Sequence, residues 1–145
     1  MLDEQGTPPR PYYRRDQQDG ISPPDLSQRC SYAEHIVHAR GKRSQYTSVS
    51  LDLRRISDIG EASYLLKAQD TVTDGHIFLE HDRLLRALQD VIRAESKAER
   101  LRAAQALRYA RRRMEGLVDW RFKTSGVERK DLIRWADTHV QKYFT

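Results

Sequence analysis

The sequence predicts an α+β domain, and three observations predict it. Tyr46-Thr47-Ser48-Val49-Ser50-Leu51 has the β-branched and aromatic make-up of a strand. From about Asp82 to Tyr109 apolar residues recur at spacings of three and four, the period of a helix with one buried side. Strand-like segments gather early and helical ones late, rather than alternating as in a parallel α/β sheet.

Taken in order, residues 1–10 read as a flexible lead, and residues 11–145 as a single domain. Tyr12 and Tyr13 suit an early strand running to Asp16. Gly20 to Pro24 carries turn chemistry. Ser31 to Ala39 reads as a short helix with Ala33, Ile36, Val37 and Ala39 inward, stopped by Gly41. After the strand at Tyr46, Arg54 to Gly60 reads as a helical turn. Ala62–Ala68 and His76–Glu80 read as short strands, separated by a polar turn from Asp70 to Gly75. The long helix has Leu84, Leu85, Leu88, Val91 and Ile92 on its first buried stripe. Ala98, Leu101, Ala104 and Leu107 form its second, with a break near Ser96. Trp120-Arg121-Phe122-Lys123 alternates as a half-buried strand does. Leu132 to Phe144 closes the chain as a strand then a helix, or as one helix.

Length and composition narrow the function. The 145 residues suffice for one modest core. No apolar run approaches the roughly 20 residues that span a bilayer, so no membrane insertion is expected. The first eleven residues lack the apolar stretch of a secretory signal peptide. Localisation is therefore open, including export by a route without such a signal. Cys30 is the sole cysteine, which excludes an intrachain disulfide and a thiolate-rich metal site. The formal charge is +5, and between residues 82 and 113 ten basic residues face four acidic ones. Such a helix reads first as a solvated basic face, and otherwise as a surface for nucleic-acid phosphates or a partner chain. His76, Glu80 and His81 would share a zinc only on a helix, and Ile77-Phe78-Leu79 argues for a strand. His35 and His38 form a second weak pair. No metal is expected.

Three stretches carry a coherent chemistry. They are Tyr13-Arg14-Arg15-Asp16, Tyr46-Thr47-Ser48-Val49-Ser50, and Arg113-Met114-Glu115-Gly116-Leu117-Val118. An arginine fork holds phosphate oxygens with paired hydrogen bonds. A hydroxyl-bearing strand lines a pocket without filling it. A carboxylate beside a sugar stabilises positive charge that develops there. The alternative for Glu115 is a place at the end of a basic helix, paired with Arg111 or Arg112.

In this order the stretches resemble the Arg–Ser–Glu class of ADP-ribosyltransferases, which includes the catalytic chains of cholera and pertussis toxins. That class has an aromatic–Arg–x–Asp strand, a His-bearing helix (here Ala33 to Gly41) and an aromatic–x–Ser–Thr–Ser strand. Its catalytic glutamate lies upstream of a strand similar to Asp131-Leu132-Ile133-Arg134-Trp135. The resemblance implies a split antiparallel sheet with a long helical insertion before the catalytic glutamate. It implies NAD as substrate and cleavage of the nicotinamide–ribose bond, by a toxin or effector that modifies a macromolecular acceptor, a protein in most of the class. A partner chain or activator is compatible with it. Arg14 would contact NAD phosphate, Ser48 would brace the catalytic glutamate, Ser50 would support the strand and line the cofactor pocket, and Glu115 would be the catalytic acid. Glu128 is the other candidate acid. Tyr46 and Tyr13 are candidates for stacking on nicotinamide.

Two positions depart from the class. Val49 replaces threonine, on the opposite strand face from Ser48 and Ser50. Arg113 stands where Glu or Gln helps orient the acceptor, and arginine accepts neither a proton nor a hydrogen bond. An unusual acceptor, NAD hydrolysis and a non-catalytic basic α+β module for a protein or nucleic acid all remain open.

Overall fold

The computed structural model describes residues 10–37, 44–94, 96–120 and 129–145. Five strands form one antiparallel sheet: β1 (Tyr13–Asp16), β2 (Tyr46–Ser50), β3 (Ala62–Leu65), β4 (Ile77–Leu79) and β5 (Glu115–Asp119), in the order β3-β1-β2-β5-β4. The helices are α1 (Tyr32–Val37), α2 (Ala68–Thr73), α3 (His81–Ala94), α4 (Lys97–Arg113) and α5 (Arg129–His139). Tight helical turns at Leu53–Ile56 and Val140–Tyr143 complete the described elements.

The sheet separates two cores. Val49 and Val118 point to one face and pack with Trp120, Val140, Tyr143 and Phe144. Leu79 and Leu117 point to the other and pack with Ala33 and Ile36 of α1, Leu84 and Leu88 of α3, and the alanines of α4. Strand alternation does the sorting, since successive side chains leave opposite faces. It therefore places Tyr46, Ser48 and Ser50 together, on the face that α1, α3 and α4 cover. Thr47, on the opposite face, accepts a 2.7 Å hydrogen bond from the buried Trp120 indole.

The sheet is continuous but narrows at one join. β1 runs alongside β3 through four register pairs, and β2 alongside β5 through five. β1 and β2 share a single pair, Tyr13 with Ser50.

Helix ends follow local chemistry. Ser31 and Glu34 form a reciprocal capping box at α1, each accepting from the other's backbone N–H. Ser96 caps α4 by accepting from the Glu99 N–H, which is the break expected near that serine. Met114 ends α4 in the left-handed region at φ 48°. That conformation is uncommon for a side chain without a short polar group. Here it turns the chain directly from α4 into β5.

Several sequence expectations are corrected. The Asp70–Gly75 turn is largely helix, because α2 spans Ala68–Thr73 and Gly75 follows it at φ 91°. The strand expected from Ala62 to Ala68 consequently stops at Leu65. Asp131–Trp135 is helical, not a strand. Leu132, Ala136 and Val140 repeat every four residues and bury one side of α5 and its extension. The buried stripe of α4 is Ala103, Ala106, Leu107 and Ala110, while Leu101 is 63% exposed. Glu115 opens β5 and does not sit on the basic helix. The expectations for Ala39, Gly41, the lead at residues 1–9 and Arg121 to Lys123 lie outside the described residues.

Gly116 pairs with Val49 at the centre of the sheet. A Cβ there would stand 2.9 Å from the Leu79 carbonyl oxygen and 2.9 Å from the Tyr12 ring. Neither backbone nor a buried ring yields easily. Gly116→Ala is expected to destabilise the fold by about 1–3 kcal/mol, the range for overpacking. Urea denaturation measures it, and an unchanged midpoint would contradict this packing.

Candidate functional site

The site lies where β1 and β2 part. Past the Tyr13–Ser50 pair, the Arg14 side chain crosses the gap. Its Nη1 donates to the Ser48 carbonyl oxygen at 2.8 Å, and its Nε donates to Asp16 Oδ2 at 2.7 Å. Asp16 is held in turn by the Ser22 hydroxyl, the Ser22 N–H and the Gln17 N–H. Burial pushes the Asp16 pKa up. The Arg14 charge and these hydrogen bonds outweigh that and hold it below its ordinary value. Arg14 is therefore fixed on two sides, with no protein partner at Nη2 among the described residues.

Glu115 is the first residue of β5, opposite Ser50 in register. Three constraints aim it. The Met114 turn delivers the chain, the Ser50 hydroxyl donates to the Arg113 carbonyl, and the His81 ring donates from Nδ1 to the Glu115 carbonyl at 2.8 Å. The residue is 7% exposed, and its buried Oε2 has no hydrogen-bond partner among the described residues. Desolvation raises its pKa to about 7, against the opposing pull of Arg113, Arg14 and the Ser48 hydroxyl. An unpartnered buried carboxyl oxygen is costly in a folded protein and uncommon outside functional sites.

Ser48 links Glu115 to a histidine to which the sequence gave no catalytic role. The Ser48 hydroxyl lies close enough to the Glu115 carboxyl to favour its ionised form, and its Oγ lies 2.7 Å from His35 Nε2. His35 Nδ1 bonds the Ser44 hydroxyl, which also accepts from the Tyr46 N–H. Along Ser44, His35 and Ser48 the neutral ring donates from one nitrogen and accepts at the other, and hydrogen-bond capacity allows either direction. Burial and the Arg14 charge lower the His35 pKa to about 4, so the ring is neutral at neutral pH. One signal for His35 was available: it sits between Ala33 and Ile36, both inward-facing on α1.

The predicted residues thus take different places. Arg14, Ser48 and Glu115 come together. Ser50 is 1% exposed and braces the end of α4, with its Oγ also receiving the Asp52 N–H. Tyr46 donates its phenol to the Cys30 carbonyl and stands 5.5 Å from the His35 ring and 5.2 Å from the Tyr32 ring. It lines a cavity of about 300 Å³ with Tyr32, Leu88, Val91 and Glu99. Tyr13 lies between β2 and β3 as a ladder residue. Arg113 turns away to a two-pronged contact with Asp58 at 3.3–3.4 Å. His76 is enclosed by Trp120, Trp135 and Tyr143 on the opposite side of the sheet from Glu115. His81 meets the Glu115 backbone, so the string 76–81 is scattered. Glu128 and His38 lie outside the described residues. No family model, curated protein or solved structure matches the chain.

The two shifted groups have opposite effects on stability. Glu115 titrates near 7 in the folded protein, above its ordinary 4.5. Its stabilising contribution is full below pH 4.5 and is lost as pH rises to 7. His35 titrates near 4, below its ordinary 6.5. Its contribution is full above pH 6.5 and is lost as pH falls towards 4. Between 4.5 and 6.5 the two slopes oppose, leaving stability nearly flat with respect to this pair. Glu115→Gln removes one slope, and stability should then rise across that window by roughly 1–3 kcal/mol. Urea midpoints taken at several pH values test this. A variant curve parallel to the unaltered protein would refute the pairing.

Proposed function

We propose that the protein binds NAD and cleaves its nicotinamide–ribose bond, as an ADP-ribosyltransferase or an NAD glycohydrolase. The observation that carries this reading is the meeting of Arg14, Ser48 and Glu115 at one point of the sheet, around a buried carboxyl oxygen without a partner. The resemblance of the three motifs supports it independently. The toxin or effector role rests on that resemblance alone.

The residues present fit the task. Arg14 has Nη2 available for a pyrophosphate oxygen, while Asp16 and the Ser48 carbonyl prevent the guanidinium from swinging. When the bond from ribose C1′ to nicotinamide breaks, its electron pair leaves with the ring nitrogen and positive charge builds on the sugar. The Glu115 carboxylate stabilises that charge electrostatically, and Oε2 is placed to accept from a ribose hydroxyl. The nearby Ser48 hydroxyl favours the ionised carboxyl. Water or an acceptor nucleophile then adds at C1′ and releases a proton. Only ionised Glu115 does this work, and its pKa near 7 makes turnover rise with pH through neutrality.

A second reading is a non-catalytic basic α+β module for a macromolecular partner. Arg113 favours it, because its guanidinium is committed to Asp58 and no acid occupies that position to activate an acceptor.

Release of nicotinamide, followed by chromatography, tests the first reading. Glu115→Gln is expected to lower turnover by about 10²–10³, the scale of one lost electrostatic stabiliser. Ser48→Ala is expected to lower it less and to shift the pH midpoint upward, since the serine favours the ionised carboxyl. No calorimetric heat with millimolar NAD would sink this reading and favour the second.

A further inference from the structure

The end of α4 carries a charge cluster that the NAD site does not use. Arg111, Arg112 and Arg113 occupy its last turn, and Arg108 lies one turn earlier on the side of Arg112. The turn at Leu53–Ile56 packs beside them, with Arg55 Nη1 donating to the Arg112 carbonyl at 3.1 Å. Local acids neutralise part of this charge. Asp52 pairs with Arg54 and Arg55, and Asp58 pairs with Arg113. Arg108, Arg111 and Arg112 are exposed and have no acidic partner among the described residues. The Arg112 guanidinium lies over the Tyr109 ring, 5.7 Å from its centre.

The cluster continues along the helix. With 100° per residue, Lys97 and Arg108 differ by about 20° around α4, as do Arg100 and Arg111. All four are exposed, and the span from Lys97 to Arg112 is about 22 Å. The only acid of α4, Glu99, pairs with Arg102 towards another side. The outward face therefore presents five cations, flanking exposed Leu101, with no carboxylate among them.

We infer that this outward face of α4, centred on Arg108, Arg111 and Arg112, is a docking surface for the phosphate backbone of a nucleic-acid duplex. Four of its five cations are arginines, whose forked donors match phosphate oxygens better than a lysine does. The face offers no Asn, and its one Gln, Gln105, is bonded to the Tyr109 hydroxyl, so contact is with the backbone and independent of sequence. Its one nearby aromatic, Tyr109, is partly buried beneath Arg112 and bonded to Gln105. Single strands need stacking platforms that this face lacks, which selects a duplex. The inference does not depend on NAD cleavage.

Fluorescence anisotropy with a labelled DNA duplex of about 20 base pairs, titrated at salt from about 50 to 200 mM, tests it. The unaltered protein should bind, with affinity falling steeply as salt rises. Replacing Arg108, Arg111 and Arg112 together by Ala should weaken binding at least about ten-fold and flatten the log–log salt slope by about 2–3. Alanine keeps the helix favourable. A thermal melt shows whether these arginines serve only the helix dipole, in which case stability falls while binding stands, and the inference fails. An equal charge removed from α3 by Arg83→Ala, Arg86→Ala and Arg93→Ala should change affinity less than about three-fold. An equal loss in that control would assign binding to net charge and overturn the inference. So would absence of binding at low salt, or displacement of the duplex by polyglutamate at matched charge, which would point to an acidic protein.

Discussion

One guanidinium organises the centre of this molecule. β1 and β2 keep a single register pair and then diverge, and a gap at mid-sheet would leave backbone groups without partners. Arg14 occupies that gap. It donates across it to the Ser48 carbonyl and holds its own strand through Asp16. The bond to Ser48 is charge-assisted, so it is stronger than the neutral ladder bond it replaces. Asp16 extends the constraint to the loop after β1 through Ser22 and Gln17. The side chain that spans the opening is thus also the support that keeps the sheet together.

The same arginine sets the electrostatics. Its charge depresses His35 and favours ionisation of Glu115, which burial opposes. In the unfolded chain near pH 5.5, the imidazole is charged and the carboxyl ionised. In the folded protein the imidazole is neutral and the carboxyl protonated. Folding has moved one proton from base to acid, with Ser48 between them, and left net charge unchanged. A buried ion pair is thereby avoided, which matters because desolvating two charges costs more than their attraction often returns.

Much of this was legible in the sequence, and the failures share a cause. The strands at Tyr13 and Tyr46 were marked by composition, and Ser96 marked the break between α3 and α4. The three chemical motifs could be set in order from the sequence alone. Their convergence could not, because a long-range contact such as Arg14 with Ser48 has no local signature. The face of α4 was misread for a related reason. Alanines and leucines recur so densely from Ala98 to Ala110 that two stripes satisfy the helical period. Close approach to α1 and α3 selects the stripe with the smallest side chains, Ala103, Ala106 and Ala110, and leaves Leu101 outside. At α2, the residues Asp70, Thr73, Asp74 and Gly75 looked like a turn. Thr71 is nevertheless fully buried, with its hydroxyl turned back to the Ala68 carbonyl. Tertiary burial outweighed a weak local preference.

Arg113 joins the two surfaces of the molecule. Its backbone carbonyl is tied by Ser50, which helps fix Glu115. Its side chain reaches the other way, to Asp58, at the edge of the arginine cluster. A carboxylate at this position would sit beside a second acid and attract a cationic acceptor. The guanidinium does the opposite, since it favours ionised Glu115 and adds to a field that repels cations. In the proposed reaction a nucleophile would meet the charges of Arg113 and Arg14 beside Glu115. That field would suit water or a group on a polyanion, and would disfavour an arginine or lysine side chain.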